Sequence, residues 1–251
     1  MIKNRFKIVI DGAFIPFIVF VGITLLTTFI YCIIYGIENI NAMLVQGIAD
    51  IFVICALIPI YMNFNKKYGI TKSSVTLKKV LYIIPLSISI CIIANILIQF
   101  LPTTKNNVVT KEIIELTEKY NLGISILLVA LFVPIVEELI FRGFFYNVIY
   151  ILKSHKTAII ITSIIFGIAH FNLEQGIYGL IAGLFLAYIR YKFNNLIYTI
   201  IMHLIMNFCS LTVIAQILLK SNIYRQMNIL TLCVIILVLI IYRINKLDWE
   251  V

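Results

Sequence analysis

Apolar residues run through this chain in long unbroken blocks, not in stripes. Stretches such as Ile159–Ile168 and Leu230–Ile241 carry no polar face at helical spacing, the pattern of a membrane-spanning helix and not of a helix on the surface of a soluble core. Spans of about 20 residues suffice to cross the hydrocarbon layer. The blocks predict crossings at Ala13–Ile34, Ala42–Met62, Val80–Leu101, Gly123–Leu152, Ala158–Phe171, Ile177–Tyr191, Leu196–Leu219 and Met227–Tyr242. The expected fold is all-α, a polytopic membrane bundle of about eight transmembrane helices. The fourth span is long enough to tilt, and the fifth and sixth are short and joined by the tight connection Asn172–Gly176. Two loops exceed simple connectors. Asn63–Lys79 is lysine-rich and expected along the membrane surface, and Pro102–Leu122 has apolar residues at helical spacing, expected as an amphipathic surface helix.

Composition agrees, with 62% of the 251 residues hydrophobic and only 12% charged. Of the 20 Lys and Arg residues, Lys105, Lys111, Lys119, Lys220 and Arg225 fall in predicted outer segments and Arg142 within a span. The remainder collects on the other side, as the positive-inside rule requires. Both termini are therefore expected in the cytoplasm, with the basic Met1–Lys7 segment heading a retained first helix and not a cleaved signal. The net charge of +9 then reports topology and contact with anionic lipid, and argues against nucleic acid as a partner. Richness in isoleucine, asparagine and lysine is compatible with a bacterial plasma-membrane protein. Cys32, Cys55, Cys91, Cys209 and Cys233 are scattered singly through apolar runs and are expected as small core hydrophobes. With no internal repeat, residues 1–251 are expected to form a single integral membrane domain.

Polar residues inside the spans are informative, because a charge at the bilayer centre costs about 3 kcal/mol on insertion scales. Glu137, Glu138 and Arg142 lie in the fourth span, His170 near the end of the fifth, and His203 with Asn207 in the seventh. Glu138 and Arg142 are one turn apart and can pair, whereas Glu137 points about 100° away, toward another partner. His203 and Asn207 repeat the four-residue spacing, and Phe166 lies one turn from His170 on its face. At 1.5 Å rise per residue, Glu137 sits roughly 22 Å deep, His170 about 18 Å, Asn207 about 17 Å and His203 about 11 Å. Any one such histidine or asparagine commonly serves as interhelical glue, and the Glu138–Arg142 pair as a structural brace. Jointly, a carboxylate, two histidines and an amide in one layer are the ingredients for activating water and stabilising an oxyanion. Pro134 removes a backbone hydrogen bond next to Glu137 and is expected to kink the helix there, either admitting substrate or water or without functional consequence.

The order Glu137-Glu138-x-x-x-Arg142, Phe166-x-x-x-His170, His203-x-x-x-Asn207 resembles the CPBP family of intramembrane proteases, also called CAAX-protease, bacteriocin-processing or Abi proteins. The resemblance is carried by about residues 123–215, which would be the catalytic core; residues 1–122 match only in spanning the membrane. It implies an Rce1-like intramembrane protease bundle hydrolysing a peptide bond in a small membrane-associated peptide or protein. By that analogy Glu137 and His170 activate water, His203 and Asn207 stabilise the oxyanion, and Glu138, Arg142 and Phe166 support the site. It also implies a metalloprotease option, with Glu137, His170 and His203 as zinc ligands, beside direct glutamate-dependent hydrolysis. The competing functions are a non-catalytic membrane receptor or bacteriocin-immunity protein keeping the fold, and a transporter using the buried polar groups for ions. The transporter is disfavoured because the two halves show no repeat or paired broken helices.

Overall fold

The computed structural model describes residues 2–36, 42–99, 123, 126–211 and 222–246. Among these every regular element is helical. The elements are α1 Ile2–Val9, α2 Ile15–Tyr35, α3 Ala42–Tyr68, α4 Leu77–Ile98, α5 Val133–Glu138, α6 Tyr146–Leu152, α7 His155–Ile168, α8 Leu173–Phe193, α9 Leu196–Leu211 and α10 Ile223–Lys246, with π-helical stretches at Ile10–Phe14, Ile126–Phe132 and Leu139–Phe145. Arg5–Tyr35, Leu44–Tyr68, Leu77–Ile98 and Ile223–Lys246 are long and apolar enough to cross a membrane, and His155–Ile168 and Leu196–Ser210 are shorter apolar helices. Outward-facing positions such as Phe17, Phe29, Ile33, Phe52, Leu97 and Leu239 are large, apolar and exposed, which suits lipid and not water. This is an integral membrane protein. The expected surface helix at Pro102–Leu122 lies outside the described residues, as do the ends of the third and seventh predicted spans.

The chain divides into two compact units, Met1–Thr71 with Asn107–Ser154, and Lys72–Asn106 with His155–Val251. In the first, α3 is flanked by α2 and by the run from Ile126 to Phe145. Close approach is possible because Gly47 has no side chain: a Cβ there would stand 2.6 Å from Leu128 Cδ2. Phe144 is fully buried and meets Tyr61 and Phe64 of α3 edge-on, at ring separations of 5.6 and 5.7 Å. Gly12, in the first π-helical stretch, is fitted equally tightly, since a Cβ would lie 2.6 Å from the Phe64 ring. Nearby, Tyr68 donates to Asp11 Oδ2 at 2.6 Å and Lys67 pairs with the same carboxylate.

In the second unit α4 packs with α8, α9 and α10 around Ile83, Leu86, Ile90, Leu186, Tyr198, Met202, Met206 and Ile244. Helices α7 and α8 form a hairpin whose backbones touch: a Cβ on Gly167 would stand 2.8 Å from the Gly176 carbonyl oxygen, the small-residue packing that membrane helices use for close contact. Asn172 starts α8 by accepting from the backbone N–H of Glu174 and Gln175 at 3.0 and 3.2 Å. The cap places the start of this helix at Leu173, ahead of the Ile177 expected from hydropathy, because capping and not apolarity sets a helix N-terminus.

The Asn63–Lys79 segment differs from the surface loop expected. Helix α3 continues to Tyr68 and α4 begins at Leu77 behind the Thr76 cap, leaving a short connection whose later part is clamped to the α8–α9 turn. Ser73 N–H donates to the Asn194 carbonyl at 3.1 Å, Asn195 Nδ2 to the Ser73 carbonyl at 2.6 Å, and Tyr198 hydroxyl to the Ser74 carbonyl at 3.0 Å. Lys79 is buried there, 5.7 Å from the centres of both the Phe193 and Tyr198 rings, with Nζ donating to Ser73 Oγ at 3.3 Å. Its alkyl stem packs inward while the ammonium finds oxygen and ring faces.

Candidate active site

Glu137 sits at the end of α5, a six-residue helix held between two π-helical stretches. Pro134, buried in the first turn of α5, supplies no N–H to the preceding turn. The ladder on either side uses wider hydrogen-bonded rings, a device that recurs in helices at functional sites. Glu137 is half-buried, whereas Glu138 and Arg142 have no exposed side-chain surface and Arg142 Nη1 donates to Glu138 Oε1 at 2.7 Å. Arg142 also lies within electrostatic reach of Glu137. The guanidinium is thus set among both acids, hydrogen-bonded to one of them.

A further carboxylate in this unit escaped the sequence reading. Asp50 of α3 is 1% exposed, accepts from Gln46 Nε2 at 2.7 Å, and acts electrostatically on Glu137. Gly47, three residues before Asp50, is on the part of α3 pressed against Leu128, so close helix packing brings Asp50 toward the Glu137 run. The available signal was the four-residue spacing of Gln46 and Asp50 inside a predicted span. Mean apolarity of the span concealed it.

The second unit gathers His170, Phe166 and His203. The Phe166 ring is fully buried and stands edge-on to both imidazoles, 4.9 Å from His170 and 5.8 Å from His203. His203 is buried at 4% exposure, His170 is half-buried, and Asn207 is half-buried one turn after His203 on α9. His170 Nδ1 lies 2.8 Å from the Phe166 carbonyl oxygen. A carbonyl can only accept, so Nδ1 carries a proton, and in the neutral form of the ring the lone pair is on Nε2. That tautomer suits a base or a metal ligand, and a backbone carbonyl is a usual anchor for the other nitrogen. Within neither unit, among the described residues, do three His, Cys, Asp or Glu side chains form a group able to hold a metal ion.

Gly179 of α8 completes the seat of His170. A Cβ on it would stand 3.1 Å from Cε1 and 3.2 Å from Nδ1 of the ring, closer than packed carbon atoms normally sit. The ring is anchored at Nδ1, so it cannot yield without straining that bond. Gly179→Ala is expected to slow turnover about tenfold through misplacement of the imidazole while leaving the purified protein folded. Cleavage kinetics beside a thermal melt check this; an unchanged rate would show that the ring has room to shift.

Residues 120–209 match the family model described as type II CAAX prenyl endopeptidase Rce1-like. Over that stretch the chain is similar to the CPBP, or CAAX-protease, family. The matched stretch contains Glu137, Glu138, Arg142, Phe166, His170, His203 and Asn207. No curated protein and no solved structure matches the chain. The similarity supports, in general terms, an intramembrane endopeptidase acting on peptide substrates in a membrane setting.

Proposed function

We propose that this chain is a CAAX-type protease that cleaves a small membrane-associated peptide, or the membrane-proximal end of a protein, with Glu137 as the general base. The observation that supports the reading is the anchoring of His170 Nδ1 on a backbone carbonyl, which in the neutral ring leaves Nε2 as the nitrogen that accepts a proton or hydrogen bond from water. Glu137 takes the proton of the attacking water as its oxygen bonds to the scissile carbonyl carbon, and returns it to the leaving amine. His203 and Asn207, one turn apart on α9, donate to the developing oxyanion, each such donor being worth about 3 kcal/mol. Glu138 and Arg142 hold the α5 turn, and Phe166 spaces the two imidazoles. Basic loops and termini face the cytoplasm in this reading, in a bacterial plasma membrane.

Two imidazoles and a carboxylate are a donor set that suits zinc, and Glu137, His170 and His203 would hold it; bound zinc would lower the pKa of its water. Cleavage lost with a chelator and restored by zinc assigns the ion, and cleavage unaffected by chelation assigns direct catalysis by Glu137. For the substrate, peptides from membranes of cells with and without the chain are compared by mass spectrometry. Fragments that depend on the chain identify the scissile bond, and indistinguishable peptide sets would defeat the protease reading in favour of a receptor or immunity role.

A further inference from the structure

Ser87, Cys91 and Asn95 of α4 and Gln99 at its C-cap follow one another at four-residue intervals, a polar ladder along one face of a helix that is apolar apart from Lys78, Lys79 and Ser89. That face is turned into the unit. Cys91 Sγ lies 3.5 Å from the Met206 carbonyl and 3.3 Å from Ser210 Oγ of α9, and Tyr178 hydroxyl of α8 lies 3.2 Å from the same Ser210 Oγ. Ser210 follows Asn207 by three residues and His203 by seven, so all three share a face of α9. At the far end, Gln226 Nε2 of α10 donates to Gln99 Oε1 at 3.2 Å.

Burial along the ladder is graded. Ser87 is 0% and Cys91 3% exposed, whereas Asn95 and Gln99 are half-buried although they continue the same inward face. Leu97, on the opposite face, is 44% exposed in the manner of a lipid contact. Among the described residues the interior therefore opens toward the Gln99 end of α4. Asn95 directs Nδ2 to the carbonyl and sulfur of Cys91 at 2.8 and 3.5 Å, and its Oδ1 has no protein donor among the described residues. Polar groups that served only as glue between helices would be closed off from solvent and matched to one another. Polar groups within a membrane otherwise face water-filled cavities, and an ordered water requires several polar partners, which Asn95, Ser210 and Tyr178 provide.

We propose that Asn95, Gln99, Tyr178 and Ser210 line a hydrated cleft that leads water from the Gln99 end of α4 to the His203–Asn207 face of α9. Its use in hydrolysis rests on the protease reading, but its hydration does not. In the full-length chain with all five cysteines replaced, Asn95→Cys, Gln99→Cys and, as the lipid-facing control, Leu97→Cys are each treated in membrane vesicles with a charged, membrane-impermeant methanethiosulfonate on both sides. Asn95→Cys and Gln99→Cys are expected to react at least about tenfold faster than Leu97→Cys, because the thiolate forms only where water reaches. Ser210→Cys replaces Asn95→Cys if that variant fails to fold. Equal rates at the ladder and control positions would overturn the cleft. Rapid labelling in a chain that cleaves nothing would retain the cleft and sink the protease reading, whereas cleavage with an unlabelled ladder would do the reverse.

Discussion

Glu137→Gln is expected to leave the protein folded and to reduce cleavage at least about a hundredfold, the range lost when a general base is removed. The amide nearly matches the carboxylate in size and shape, and Glu137 is half-buried, so neither a cavity nor an overpacked core results. It cannot take a proton from water. The matched control is Glu138→Gln, made one residue away in the same helix. Glu138 is fully buried against Arg142, so that change acts first on the fold and should lower thermal stability. Turnover and melting temperature, measured together in detergent or proteoliposomes, separate the two. A Glu137→Gln protein that cleaves at the wild-type rate would remove Glu137 from the chemistry and leave its neighbourhood a structural device.

Much of this architecture was legible because a bilayer permits few solutions. A backbone deprived of water must satisfy itself within helices, so long apolar runs translated directly into α2, α3, α4 and α10. Polar residues were legible by contrast, and the clusters at Glu137, His170 and His203 stood out where each apolar run was interrupted. Asp50 and Gln46 were as polar, yet they interrupt α3 singly, among strongly apolar neighbours. The ladder on α4 was concealed differently, since Ser87 and Cys91 score as small and only their contacts with Ser210 and Met206 show which way the face turns. Helix ends moved where caps outweigh hydropathy, at Thr76 and Asn172. The π-helical stretches flanking α5 had one local sign, Pro134, which marks a break in the ladder without specifying its form.

Replacing Arg142 with methionine should be the most destabilising of the changes considered, by about 3–5 kcal/mol, the cost of leaving one member of a buried ion pair alone. Arg142 and Glu138 have no exposed side-chain surface, and the bond of 2.7 Å lies within a helix. Without the guanidinium, the buried Glu138 carboxylate loses its hydrogen-bonded counter-charge, and Glu137 loses a cation within electrostatic reach. The double variant Glu138→Gln with Arg142→Met removes both charges and should recover much of the stability, because a buried pair replaced by neutral groups of similar volume is often close to neutral. The cycle of wild type, two single variants and the double variant isolates the coupling of the pair, read from thermal melts. Cleavage by the double variant then distinguishes two functions of the pair. If it only holds the helix together, turnover returns with stability. If Arg142 also sets the field in which Glu137 works, the protein is stable and turnover stays low, and that is the outcome expected from a guanidinium placed among both acids.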